Sequence, residues 1–222
     1  MKIISYKSVD STNLEAQRLL NSQEKIPFVV VSEKQTSGKG RGEHIWETES
    51  GKNLMCSFVI EPGIHPQYQY LITVAISVSI FQLLQKYLSP DNQIKIKWPN
   101  DIYVDDNKIC GILISNKIFG DEIKSSIIGS GINVNQIDFP AHLSHATSIK
   151  KITKDDMSIN ELLRDLIDLA SENFKIMQSN PAKLISIYTE NLYKLNKPAM
   201  YNIDGKLVEL CITGIDEFGG II

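Results

Sequence analysis

Short alternating and β-branched runs punctuate the chain and predict its strands. KIISY over 2–6 reads as a first strand, FVVVSE over 28–33 as a second and NLMCSFVI over 53–60 as a third. IKIKW over 94–98 alternates strictly, placing Lys95 and Lys97 on one face and Ile94, Ile96 and Trp98 on the other. IYVDDNKICGILIS over 102–115 predicts a hairpin turning at Asp105–Lys108. A further strand pair follows, with one member at 122–134 ending in GSGINVN. Helical spacing is clearest over 67–88, where Tyr70, Leu71, Val74, Val78, Phe81, Leu84 and Leu88 mark one apolar stripe. A second helix is predicted over 158–177, opened by Ser158 and Glu161 at capping-box spacing. A third begins at Pro181 and runs to about Leu192. Near the N-terminus Ser11-Thr12-Asn13 opens a helix over Leu14 to Leu20, and Thr12 and Glu15 again have the spacing of a capping box.

Strands interleaved with helices place the chain in the α/β (α+β) class. The texture changes after Lys197-Pro198. There AMYNIDGKLVELCITGIDEFGGII predicts about three short strands joined by Asp-Gly and Phe-Gly-Gly turns. The expected division is a main domain over 1–196 and a small β appendage over 197–222. Residues 34–52 are polar and glycine-rich without any period, and a loop of that length in a compact domain is usually functional or mobile.

The 222 residues include 42% apolar and 22% charged residues, an ordinary globular balance. A net charge of −3 argues against a dedicated nucleic-acid partner, which needs a basic stripe. The longest apolar stretch, Leu71 to Leu84, is interrupted by Thr73, Ser77, Ser79 and Gln82, so no membrane partner is expected. Cys56, Cys110 and Cys211 are an odd, widely spaced set, which reads as reduced thiols in a cytoplasmic protein. His142 and His145 are the closest pair among the four histidines and lack a Cys or acidic partner at metal-ligand spacing.

Four segments carry candidate chemistry. Gln35-Thr36-Ser37-Gly38-Lys39-Gly40-Arg41-Gly42 has glycines at alternate positions and two cations, which suits an anion such as phosphate. It lacks the glycine and the Ser/Thr of a Walker A loop, and no helix pattern follows it as in a dinucleotide fold. The competing reading is a flexible surface loop with scattered charge. Trp46 beyond it is an aromatic in a polar setting, fit to cover a ligand. In Lys97-Trp98-Pro99-Asn100-Asp101, a carboxylate at a strand end suits Mg²⁺ or the orientation of a lysine, against the plainer account of a Pro-Asn turn. Lys108 sits beside turn residues and could merely flank the hairpin. Gly111, inside an apolar strand, suggests a bulge or a close backbone approach to a ligand. In Gly129-Ser130-Gly131-Ile132-Asn133, Asn133 either presents its amide to a base, sugar or phosphate or ends a strand with glycine bends. Ser11 lacks a GxSxG setting and reads as a helix cap rather than a nucleophile.

In order along the chain, STN at 11–13, Gln35 with GKGRG and Trp46, KWPND at 97–101, K-x-x-G at 108–111 and GSGIN at 129–133 resemble biotin protein ligase, of the monofunctional type without an N-terminal DNA-binding domain. The resemblance covers about residues 5–135 closely, and KWPND with K-x-x-G is its most specific part. It implies a mixed sheet with helices mainly on one face, followed by a shortened SH3-like β segment. It also implies ATP-dependent formation of biotinyl-5′-AMP and transfer of biotin to a lysine of a carboxyl carrier domain, as in acetyl-CoA carboxylase. On that basis Lys108, Arg41, Asp101 and Lys97 are expected to serve the chemistry. Ser11, Thr12, Asn13, Gln35, Lys39, Gly40, Arg41, Lys108 and Gly111 would hold biotin. Gly38, Lys39, Arg41, Trp46, Asn100 and Asn133 would hold the nucleotide, and Asp101 would be the candidate for Mg²⁺. The state expected is monomer or homodimer. The loop departs from the Arg-rich family pattern, with Lys39 for an Arg and with Glu43 and His44 at later Gly and Arg positions. A lipoate or octanoate ligase or transferase of the same fold is the nearest alternative, and a non-catalytic ligand-binding homologue the next.

Overall fold

The computed structural model describes residues 1–42, 44–203 and 205–222. Seven strands form one mixed sheet: β1 (Lys2–Tyr6), β2 (Phe28–Ser32), β3 (Leu54–Ile60), β4 (Ile94–Lys97), β5 (Asp101–Val104), β6 (Asn107–Phe119) and β7 (Glu122–Ile132). Their spatial order is β1-β2-β3-β7-β6-β5-β4, with β1 and β2 parallel and every other pair antiparallel. Helices α1 (Thr12–Asn21), α2 (Tyr70–Tyr87), α3 (Ile149–Thr153), α4 (Ile159–Ser179) and α5 (Pro181–Glu190) accompany the sheet.

The sheet is covered unequally. Ile96, Ile112, Ile128, Cys56 and Phe58 belong to the main core with the buried faces of α2, α4 and α5. By length and composition the segment Pro66–Tyr87 is apolar enough to cross a membrane, yet two-thirds of it is buried in this core. The opposite sheet face is covered at one end only, by α1, through Ala16 against Phe28, Val30, Val59 and Ile127. The rest of that face carries no helix; the glycine-rich loop crosses it and lays Trp46 against Gly111 and Gly131. Helices therefore lie mainly on one face, as expected.

The turn after β5 falls at Asp105 and Asp106, both with positive φ, which Asp tolerates better than most residues. The expected strand pair beyond it is the long β6–β7 hairpin. A bulge then re-phases β6: Ile102 faces Cys110, but Tyr103 faces Lys108. Ile109 is the extra residue. Simple alternation would put Lys108 and Gly111 on opposite faces, and the bulge brings both to the open one.

Three local expectations are corrected. Helix α1 starts at Thr12 rather than Leu14, with Ser11 at its N-cap, and neither hydroxyl caps it. The Thr12 hydroxyl is engaged elsewhere, as described below. Trp98 lies beyond the end of β4 and does not join Ile94 and Ile96 in the core; its indole N–H donates to the Gly219 carbonyl at 2.9 Å. The C-terminal part forms two sheet strands rather than three, β8 (Pro198–Ile203) and β9 (Lys206–Cys211). Residues beyond Cys211 run irregularly, with isolated bridges Leu195–Ile212 and Ile215–Ile221. Asp204, at the expected Asp-Gly turn, lies outside the described residues.

Candidate active site

The open half of the sheet is floored by one cross-strand row: Lys97, Asp101, Gly111, Gly131 and Met55 are successive partners from β4 to β3. The next row toward α1 is Leu113, Gly129 and Ser57. Glycines at 111, 129 and 131 leave the middle of this floor without side chains. A cavity of about 490 Å³ stands on it. It is lined by Ser11, Thr12, Asn13, Gln35, Lys39, Gly40, Arg41, Trp46, Lys97, Asn100, Asp101, Lys108, Gly111 and Asn133. These are all the residues singled out in the sequence except Gly38, which lies against a neighbouring depression. Gly129, Gly131, Met55 and Leu113 line the cavity without having been expected to. The two glycines stand in the GSGIN motif, where their spacing of two was the available signal.

At the α1 end the floor meets a polar cluster. The Thr12 backbone N–H and hydroxyl both donate to Gln35 Oε1, at 2.7 and 3.0 Å. Asn13 lies across three strands. Its Oδ1 is 2.6 Å from the Ser57 hydroxyl on β3, its amide passes over Gly129 on β7, and its Nδ2 donates to the Leu113 carbonyl on β6 at 3.1 Å. A Cβ on Gly129 would lie 2.3 Å from Asn13 Oδ1, so this crossing requires glycine. The bonds that displaced Thr12 from a capping role thus tie α1 to β3 and to the glycine-rich loop.

At the other end lie the charges. Lys108 Nζ is 2.7 Å from Asp101 Oδ1, with both side chains partly exposed. The contact is an ion pair of poor angle, so Oδ1 has no aligned hydrogen-bond donor among the described residues. Lys97 takes no carboxylate partner among them. Its Nζ lies 2.9 Å from the Tyr103 hydroxyl and 4.5 Å from that ring's centre, a cation held by aromatic density rather than neutralised. Burial and the neighbouring Asp101 push the Cys110 thiol well up, and burial alone pushes Cys56 up to about 12, so neither is a nucleophile. Asn100 and Asn133 line the cavity while donating to the carbonyls of Ile112 and Thr147, at 2.7 and 2.9 Å. They shape the wall through the backbone.

The glycine-rich loop is a small hairpin rather than a formless strap. Gly40 N donates to His44 O at 2.8 Å and Trp46 N to Gly38 O at 3.0 Å. Gly42 has φ +65°, at the turn. Glu43 lies outside the described residues. Lys39 and Arg41 are exposed on the cavity rim. Trp46 is carried over the floor: a Cβ on Gly131 would lie 2.5 Å from its ring, and one on Gly111 2.9 Å. The Lys108 ammonium is 5.6 Å from the ring centre, and the indole N–H is buried without a partner among the described residues. Glu47 and His142 pair at 2.7 Å and join this loop to the segment around Phe139 and Leu143.

The profile of the Biotin/lipoate A/B protein ligase family matches residues 5–133, more than half of the chain. The chain belongs to this family. The bifunctional ligase/repressor BirA of Bacillus subtilis is 35% identical over 152 residues, covering 67% of this chain and 46% of that protein. Biotin–[acetyl-CoA-carboxylase] ligase of Paracoccus denitrificans is 27% identical over 125 residues, 56% of this chain and 51% of its own length. The chain therefore spans about half the length of these relatives. The structure of biotin protein ligase from Aquifex aeolicus in complex with biotin and ATP superposes with a TM-score of 0.82 at 25% identity, covering 99% of this chain and 90% of that one. Every motif-bearing segment from STN to GSGIN falls inside the family match.

Proposed function

We propose that this chain is a biotin–carboxyl-carrier-protein ligase. The observation that carries the reading is the arrangement along one bare glycine floor: a polar cluster of Thr12, Asn13 and Gln35 at one end, and Lys108, Lys97 and Asp101 at the other. The first end offers donors and acceptors together, as a cyclic urea requires. The second supplies the cations needed where a carboxylate meets a triphosphate, since two anions must approach. The acid's carboxylate oxygen attacks the α-phosphorus of ATP, and pyrophosphate leaves. A carrier lysine amine then attacks the acyl carbon, loses a proton and expels AMP. Lys108 reaches over Gly111 toward Asp101, placed to hold the reacting carboxylate. Lys97, without a carboxylate partner among the described residues, is placed for the phosphates. Arg41 and Lys39 bring further charge from the loop. Trp46 forms a lid over the floor, a wall that keeps water from a labile mixed anhydride.

Asp101 does not fit a dedicated metal site. It is paired with Lys108, and no group of three metal-ligating side chains occurs among the described residues. Mg²⁺ enters on this reading with the ATP phosphates. The buried thiols of Cys56 and Cys110 and the absence of any disulfide among the described residues suit a reducing compartment such as the cytoplasm.

The test is ATP–pyrophosphate exchange with biotin, lipoate or octanoate supplied separately. Exchange only with biotin is expected. Exchange only with lipoate or octanoate would move the chain to the sister activity, and no exchange from folded protein would favour a binding role.

A further inference from the structure

Strand β5 offers the site one carboxylate and one phenol, Asp101 and Tyr103, and each flanking strand brings one lysine. Lys97 of β4 stands directly opposite Asp101, and the bulge in β6 sets Lys108 directly opposite Tyr103. Directly opposed opposite charges on an antiparallel pair ordinarily meet, because their Cβ atoms are about 5 Å apart. Here the pairing is crossed. Lys108 Nζ goes to Asp101 Oδ1 at 2.7 Å, and Lys97 Nζ donates to the Tyr103 hydroxyl at 2.9 Å. The uncrossed arrangement would neutralise Lys97 and leave Lys108 on the phenol. What distinguishes the two is the anchoring of the Tyr103 ring. After α5 the chain runs along the edge of β4: Ile96 N donates to Asn191 O and Tyr193 N to Ile96 O, both at 2.8 Å. That brings the Tyr193 ring perpendicular to Tyr103, with centres 5.3 Å apart, and 5.9 Å from Lys97 Nζ. Lys97 rests against two aromatic rings, whose electron density holds a cation without cancelling its charge.

We propose that Tyr103 is a positioning residue: its phenol oxygen, steadied by Tyr193, keeps Lys97 off Asp101 and free to meet the ATP phosphates. This rests on the ligase reading above. The single negative charge of Asp101 offsets only one of the two positive charges beside it. The phenol takes the second lysine without neutralising it, and Lys97 keeps its full charge for an anion. Without the phenol oxygen the ammonium loses its acceptor, and the carboxylate directly across the strand pair is the replacement within reach. Lys97 would then share Asp101 with Lys108, and the phosphate end of the floor would lose its uncommitted cation.

The test is biotin-dependent pyrophosphate exchange by the full chain, read as separate KM values for ATP and biotin. The proteins are the wild type, Tyr103→Phe, Lys97→Gln and the double variant. Tyr103→Phe keeps the ring and its contact with Tyr193 and removes only the oxygen. It should raise ATP KM about tenfold and leave biotin KM unchanged, because a hydrogen bond to a charged group is lost at one end of the floor alone. Lys97→Gln should raise ATP KM by at least as much. Adding Tyr103→Phe to it should then change ATP KM by no more than about twofold, since the two act through one contact. An ATP KM within about twofold of wild type in Tyr103→Phe would overturn the proposal. So would effects that multiply in the double variant, or a parallel rise in biotin KM. An unchanged ATP KM in Lys97→Gln would remove Lys97 from the phosphates and overturn it as well. Failure of the wild type to exchange with biotin would overturn the ligase reading, and this inference with it.

Discussion

Gly131→Ala separates the site from the fold. Gly131 lies in β7 without a positive φ, so alanine suits its backbone and removes unfolded-state entropy, a gain of about 0.4–1 kcal/mol. The new methyl, however, would meet Trp46 Cε2, Nε1 and Cζ2 at 2.5, 2.7 and 2.9 Å. Carbon atoms in contact prefer about 3.5–4.0 Å, so whatever lies on this floor must rise by roughly an ångström. Overfilling of this kind costs about 1–3 kcal/mol, which is about a 5- to 150-fold loss in an equilibrium that needs the floor flat. Thermal melts should move by no more than a few degrees, while the biotin Kd measured by calorimetry rises within that range. Intrinsic fluorescence should shift red as the Trp46 indole leaves its seat. Gly120→Ala is the converse control: φ is +60° and nothing lies within 4 Å of the added methyl, so it should cost stability and spare binding. A biotin Kd within twofold of wild type in Gly131→Ala, with unshifted fluorescence, would refute the flat-floor reasoning.

Three further outcomes follow from the structure. Lys108→Ala should lower biotin-dependent pyrophosphate exchange by at least about 100-fold, because it removes the floor's cation and strands Asp101; unchanged exchange would remove Lys108 from the chemistry. Lys86 and the Tyr87 hydroxyl on α2 hold the Asp165 carboxyl of α4 below the usual carboxylate range, so its stabilising effect is present at neutral pH and lost as pH falls through that lowered value. Asp165→Asn should therefore melt lower than wild type at pH 7 and converge with it as the pH falls through that lowered value, as read by circular dichroism. Native protein treated with a thiol-reactive disulfide reagent should label rapidly at Cys211 alone, since Cys56 and Cys110 are buried; mass mapping of the adducts checks this.

The elements that depend on neighbours in sequence were the legible ones. The β-branched run at 28–33, the alternation at 94–97, the stripe of α2 and the double-Asp turn at 105–106 all follow from local spacing and turn chemistry. The residues of the site were legible as types, since Lys108, Asp101 and the STN triplet occur in recognisable strings. Their partners were not. Thr12 has the spacing of a capping box, and its hydroxyl is claimed instead by Gln35 and Ser57, both far along the chain. Ser57 has no local signal at all, being one serine within a buried apolar strand. The Lys108 string hides a bulge, without which the residue would face the core. Helix α3 is only Ile149–Thr153, too short to show a period, and is held by Ser148 accepting from Lys151 N. The appended strands were over-counted because alternation continues past Cys211 where sheet pairing does not.

The sheet order also carries a history of assembly. Strands β4 to β7 follow one another as neighbours, and so do β1 to β3, but β3 meets β7 only after more than sixty intervening residues. Contacts that close long loops form late, because the loop entropy is spent before they return anything. The polar cluster straddles that seam: Asn13 arrives from the first half, spans β3, β7 and β6, and fastens to Leu113 a hundred residues away. The cluster is thereby placed on the joint between two runs of sequence-adjacent strands. A nascent chain has neither floor nor cluster until β7 has paired, so a ligand of this site binds only the joined sheet and acts as a rivet across it, slowing the separation of the halves more than it speeds their meeting.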